Sequence, residues 1–233
     1  MGAVLLGDPG VPVPEVRAAP VPMAQAQDFS NGEVLRLRLL WPSSMGLGEA
    51  VLTATPVNPN QMRFEATVDV DLPVRRISAS LTSLATRDEL CSLRFERKGM
   101  EGTRTSEELL EFDQEAHLAS RTSGGVTTSI PIASCARDPL AFVYYFRRQL
   151  AAGKAVSTST FYAGSGVSLE IKAAGPETVS AGGRQRPAEK YLVTYRGPRS
   201  GKTFELWVST EPHREPVRVR IPFPLAIFSA ELQ

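Results

Sequence analysis

The chain has 233 residues, with 26 Lys and Arg against 25 Asp and Glu and a formal net charge of +1. So even a balance argues against binding nucleic acid by phosphate neutralisation, which needs a clear basic excess. Apolar residues at 42% and charged residues at 22% argue against a disordered chain, and 18 Gly with 18 Pro suit a soluble fold with many turns.

Residues 1–30 read as an extended, disordered Pro-rich leader. Pro9, Pro12, Pro14, Pro20 and Pro22 remove backbone donors at short intervals and break both helix and ladder. The apolar run Val4-Leu5-Leu6 is too short for the core of a signal peptide, although Ala24-Gln25-Ala26 before Gln27 has the small-x-small pattern that signal peptidase accepts. A signal peptide is therefore incomplete in this sequence. The chain carries no uninterrupted apolar run of about eighteen residues, so no membrane-spanning helix is predicted.

Residues 31–233 read as a single β-rich domain in which side chains alternate with a period of two. Leu35, Leu37, Leu39 and Trp41 open the series, and Met62, Phe64, Ala66, Val68 and Val70 alternate against Gln61, Arg63, Glu65, Thr67 and Asp69. Cys91, Leu93 and Phe95 follow, then Val167, Leu169 and Ile171, then Tyr191, Val193 and Tyr195. Phe204, Leu206 and Val208 precede a last strip of Val217, Val219 and Ile221. Alternation of this kind gives each strand one dry and one wet face, the mark of antiparallel sheet covered on one side. Glycine- and proline-rich turns separate the strips, among them Asn58-Pro59-Asn60, Ser123-Gly124-Gly125 and Ala181-Gly182-Gly183. The predicted fold is mainly β: one strongly curved antiparallel sheet forming a barrel or half-barrel around its dry face.

One segment breaks the period. Asp138 at N-cap, Pro139 at N1 and Gly153 past the end punctuate a single helix over about 138–152. Leu140, Val143, Tyr144, Arg147 and Leu150 form its inward stripe, with Arg148 and Gln149 outward. The helical Leu140, Val143 and Tyr144 and the strand residues Phe64 and Phe95 make up the candidate ligand-binding face.

Catalytic and metal signatures are missing. Cys91 and Cys135 have only His117 and His213 to join them, with no CxxC or HxxxH grouping, so neither a metal nor a cofactor is expected. The two cysteines are either two buried thiols or one bridge. His117 and His213 read as surface or edge residues, and no serine has the elbow context of an esterase. Gly201-Lys202-Thr203 lacks the first glycine of a phosphate-binding loop and reads as part of a hairpin. The run Glu107, Glu108, Glu111, Asp113 and Glu115 reads as a solvated cross-strand charge ladder with Arg94, Arg97 and Arg104.

Taken in order, these features resemble the bacterial domain-of-unknown-function family 3108. The resemblance is carried by Gly32-Glu33-Val34-Leu35 through Trp41, Gly48-Glu49-Ala50, Phe112-Asp113, and Asp138-Pro139-Leu140 with Tyr144-Tyr145 and Arg147. Leu206-Trp207-Val208, Pro216-Val217-Arg218-Val219 and Ala230-Glu231-Leu232 complete it. The resemblance implies a mostly antiparallel β fold, export to the periplasm or cell surface, no assigned catalytic site, and a Cys91–Cys135 disulfide. The expected function is a non-enzymatic cell-envelope protein holding a lipid or other apolar ligand in the concave face. The alternative is a periplasmic scaffold with a filled core that acts on another envelope protein. A hydrolase is the remote third reading.

Overall fold

The computed structural model describes residues 29–233 apart from 43, 73–74, 198–199 and 224–225. The leader expected over 1–30 falls outside these residues as far as Asp28. At its end the expectation is corrected: Phe29–Asn31 form a 3-10 turn and Phe29 is buried. The cause is aromatic packing, because the Phe29 ring stands edge-on to both Phe64 and Tyr144.

Fourteen strands make one antiparallel sheet. The first run is β1 (Glu33–Leu40), β2 (Gly46–Asn58), β3 (Gln61–Leu72), β4 (Arg75–Thr86), β5 (Ser92–Glu101), β6 (Arg104–Asp113), β7 (Leu118–Ser123) and β8 (Val126–Pro131). After the helix come β9 (Thr158–Tyr162), β10 (Gly166–Ala181), β11 (Arg184–Gly197), β12 (Ser200–Ser209), β13 (Pro216–Phe223) and β14 (Ala226–Leu232). The order across the sheet is β8-β7-β6-β5-β4-β3-β2-β1-β14-β13-β12-β11-β10-β9. Each half is a meander, and the pairing of β1 with β14 joins the halves. The sheet is curled rather than closed.

Its two edges approach through the segment leading out of β8. Arg137 makes a parallel bridge to Phe161 of β9, and the Tyr162 amide donates to the Arg137 carbonyl at 2.8 Å. The Tyr162 hydroxyl in turn accepts the Ala133 amide at 2.8 Å. On the other side, the Ser92 amide donates to the Ala136 carbonyl, and Gln114 Nε2 donates to the carbonyls of Ser92 and Ala136. Residues 132–138 thus clasp the two halves. A Cys91–Cys135 disulfide, with Cα atoms 4.6 Å apart, staples the clasp to the start of β5.

The helix α1 (Pro139–Ala151) lies inside the curl. Asp138 Oδ1 accepts the amides of Leu140 at 2.8 Å and Ala141 at 3.1 Å, as an N-cap should. The cap is also fully buried, and its Oδ2 accepts the hydroxyls of Ser83 at 2.5 Å and Ser92 at 2.6 Å. Burial pushes this carboxyl above the ordinary aspartate range, and the four donors pull against that shift. Two turns later Arg147, only 3% exposed, pairs with Glu33 at 2.6 and 2.7 Å and donates to the carbonyls of His213 and Arg214.

The one-sided stripe is corrected by the packing. Leu140, Ala141 and Tyr144 face the core of the first half, whereas Phe142 and Phe146 pack on Leu169, Ile171, Tyr191 and Val193 of the second. A helix enclosed by a curled sheet has no wet side at these positions. Arg148, expected to point outward, reaches the carbonyls of Arg87 and Asp88 at 3.0 and 2.6 Å. The strip through Cys91, Leu93 and Phe95 is corrected as well. The register slips between Leu84 and Ala85, so that Ser92 and Phe95 are the buried pair.

Two measurements test the clasp. Reducing the disulfide, which closes a separation of 44 residues, should remove roughly 3 to 4 kcal/mol and lower the Tm; an unchanged Tm after complete reduction contradicts this. Asp138→Ala should cost about 3 kcal/mol in denaturant unfolding, more than the roughly 1 kcal/mol of an exposed cap, because two buried hydroxyls also lose their acceptor.

Candidate functional site

Directly opposed residues in a ladder share a face, so the register assigns each side chain to the helix side or the outer side of the sheet. The outer side is charged. Arg36 pairs with Glu49, Arg94 with Glu111, Arg76 with Asp69, and Lys98 with both Glu96 and Glu107. Its large apolar exception, Trp207, is covered where the far end of the β10–β11 hairpin folds back, with Trp207 Nε1 donating to Glu177 at 2.6 Å and Arg218 to the Ser180 carbonyl at 2.6 Å.

The concave side divides into a filled end and an open stretch. In the filled end Phe64 stacks on Tyr144 at 4.2 Å, and Met62, Leu90, Phe95 and Leu110 are closed to solvent around them. One register row crosses eight strands from β4 to β11, reaching the helix only at its β12–β11 end, where Leu206 and Tyr191 join the cluster of Phe142 and Phe146. It reads Ile77, Val70, Gly48, Leu39, Ala230, Val219, Leu206 and Tyr191, with no polar side chain before Tyr191. Six of these, Ile77, Val70, Leu39, Ala230, Val219 and Leu206, are only half-buried. Nearer the open end Trp41 packs edge-on against Phe228 at 4.9 Å, and Ile221 beside it is 42% exposed. This band is the candidate functional surface.

The residues expected to contact a ligand lie deeper. Phe64, Phe95, Leu140 and Tyr144 are buried in the filled end, and Val143 on the same helix is half-buried. They form the plug under the open band. A separate open pocket of about 540 Å³, between residues 133–137 and strands β9 and β10, is lined by polar residues such as Ser134, Thr158 and Glu170 together with Ala133, Tyr162 and Leu169. Phe64, Phe95, Leu140, Val143 and Tyr144 do not border it.

The acidic run is corrected at one position. Glu111 and Glu107 lie on the outer side as a charge ladder should, but Glu108 points inward, 3% exposed, between Arg121 at 2.6 Å and Arg97 at 3.0 Å. Alternation explains the difference, since 108 shares its face with Leu110 and Phe112. The turn between β9 and β10 closes over this triad: a Cβ on Gly164 would stand 2.7 Å from Glu108 Oε1 and 3.0 Å from Arg121 Nε. With φ at +76° as well, this is a position only glycine fills without strain.

His117 and His213 are exposed on two different turns, and neither imidazole hydrogen-bonds to a Ser, Asp or Glu among the described residues. Glu89 lies within 4.8 Å of both cysteine sulfurs, but sulfurs bonded to each other offer no thiolate to a cation. One partnership of the helix has no local signal in the sequence: Arg147 and Glu33 are 114 residues apart. Burial pushes the Tyr144 hydroxyl well above the usual tyrosine range, with the nearby Glu33 adding to the shift. Tyr191 is likewise pushed up to about 12 by burial.

The comparisons with known proteins agree with the fold. A family model described as "Protein of unknown function (DUF3108)" matches residues 43–233. Among solved structures the chain is similar to a beta-barrel-like protein of domain of unknown function DUF1849 from Brucella abortus. The TM-score is 0.60 at 10% identity, over 86% of this chain and 94% of that one. At that identity the likeness is one of fold. No curated protein matches significantly.

The Tyr144 hydroxyl is buried and has no hydrogen-bond partner among the described residues. Tyr144→Phe should therefore leave unfolding stability unchanged or raise it by about 1 kcal/mol, because it removes an unpaired polar atom and keeps the ring stack. A loss of more than about 1 kcal/mol would mean that the hydroxyl is bonded in solution.

Proposed function

The chain belongs to the DUF3108 family of unknown function, and we propose that it is a non-enzymatic cell-envelope protein that holds a lipid or other apolar ligand against the concave face of its sheet. The observation that carries this reading is the half-buried row from Ile77 through Leu39 to Leu206 on the inside of a curled sheet. Apolar surface left open inside a concavity, with a charged exterior, is the usual chemistry of an apolar binding site. The half-exposed Trp41 and Phe228 pair and the exposed Ile221 place further apolar surface at the entrance.

Export to the periplasm or cell surface is part of the proposal. It is supported by the Cys91–Cys135 disulfide, which persists in an oxidising compartment. The non-enzymatic reading is supported by the position of both histidines on exposed turns. The scaffold reading has the packed end around Phe64 and Tyr144 in its favour, but it gives the open apolar row no use.

Native mass spectrometry of the protein purified from a bacterial envelope should detect a bound lipid-sized adduct. Leu39→Asp with Val219→Asp should remove it while the far-ultraviolet β-sheet spectrum is retained. A clean apo mass, together with no uptake of an added fluorescent fatty acid, overturns the proposal and leaves the scaffold.

A further inference from the structure

We infer that the ligand of the concave face carries an anionic head, a carboxylate or a phosphate, received by Arg97. The inference rests on the apolar-ligand reading above and adds to it the polarity of one end of the ligand.

The row that holds the triad also runs into the apolar face. Arg97 on β5 stands opposite Leu81, which stands opposite Ala66, which stands opposite Leu52. A guanidinium is thus one strand, about 5 Å, from half-buried aliphatic surface. Two arginines face a single carboxylate, so the triad holds one positive charge in excess. The surplus charge lies on the half-exposed Arg97, where an anion at the edge of the apolar surface can take it.

The three side chains are not equally open. Glu108 is 3% exposed and Arg121 34%, whereas Arg97 is 48% exposed. The Gly164 turn covers the Glu108–Arg121 side. Arg97, on the inner face opposite Leu81 and about half exposed, is thus the guanidinium of the triad that is open to a carboxylate or phosphate, groups that arginine takes through paired hydrogen bonds. The resulting picture is an acyl chain lying along Leu81, Val68 and Leu39 with its head on Arg97.

The test titrates the full chain with oleate, 1-oleoyl lysophosphatidate and oleyl alcohol. At least one anion should bind about tenfold more tightly than the alcohol, and the tighter of the two names the head. Added salt should narrow that preference. Arg97→Gln should abolish it with the alcohol Kd unchanged, which also shows that the variant folds, and Arg97→Lys should keep most of it. If the alcohol binds as tightly as both anions and salt has no effect, the anionic head is overturned and the apolar-ligand reading stands. If none of the three binds, the apolar-ligand reading falls and takes the head with it.

Discussion

A short helix cannot cover a wide sheet, and the organisation of this protein follows from that mismatch. Thirteen helical residues span about 20 Å and present a cylinder roughly 10 Å across. Fourteen strands set about 4.8 Å apart make a sheet on the order of 65 Å wide before it curls. Most of its strands have an apolar inner strip, so the helix can dry out only the part it touches. Where α1 lies, Phe64, Phe95, Leu110 and Tyr144 are closed to water; where it does not, Val70, Leu39 and Val219 stay half-open. The filled and open ends are thus two consequences of one geometric shortfall.

An open sheet also has two edges with unpaired backbone groups, which invite association with other chains. Here the edges β8 and β9 meet across residues 132–138, which bridge to Phe161 on one side and bond to Ser92 and Gln114 on the other. The disulfide falls on this clasp and not in the sheet. The clasp buries Ile132 and Ala136 in the core of the first half, and the covalent tie adds to that packing. The same segment delivers Asp138, so closure of the curl and docking of the helix are a single structural event.

The sheet and the helix were legible because their signals are local. Alternation in Met62 through Val70 and the Asp138-Pro139 cap state their own structure within a few residues. What lay hidden depends on distance or phase. Glu33 and Arg147 meet across 114 residues, and nothing near either one marks the pairing. Phe29 looked like the end of a Pro-rich leader until the ring of Tyr144 was placed beside it. The slip at β5 moved the buried phase onto Ser92, which only the register with β4 reveals. Glu108 could have been found, because it alternates in phase with Leu110 and Phe112; the charge run around it masked the period. Phe64, Phe95, Leu140 and Tyr144 lie buried against the helix, which their size and spacing in the sequence do not reveal, because burial depends on whether a helix reaches them.

The two buried polar anchors have a role that apolar packing could not fill. A helix with Leu140 and Tyr144 toward one half of the sheet and Phe142 and Phe146 toward the other is greasy nearly all round. Hydrophobic burial is non-directional, so it leaves the rotation of such a helix poorly determined inside a curl that is apolar on every side. Asp138 at one end, held by Ser83 and Ser92, and Arg147 two turns later, held by Glu33 and two loop carbonyls, fix both rotation and depth. Buried ions of this kind add little net stability against well-packed apolar substitutes, since desolvation opposes their attraction. Their value lies in selecting one arrangement among several of similar burial. In this protein the selected arrangement stops the helix at the filled end, and that stop is what keeps the apolar row beyond it uncovered.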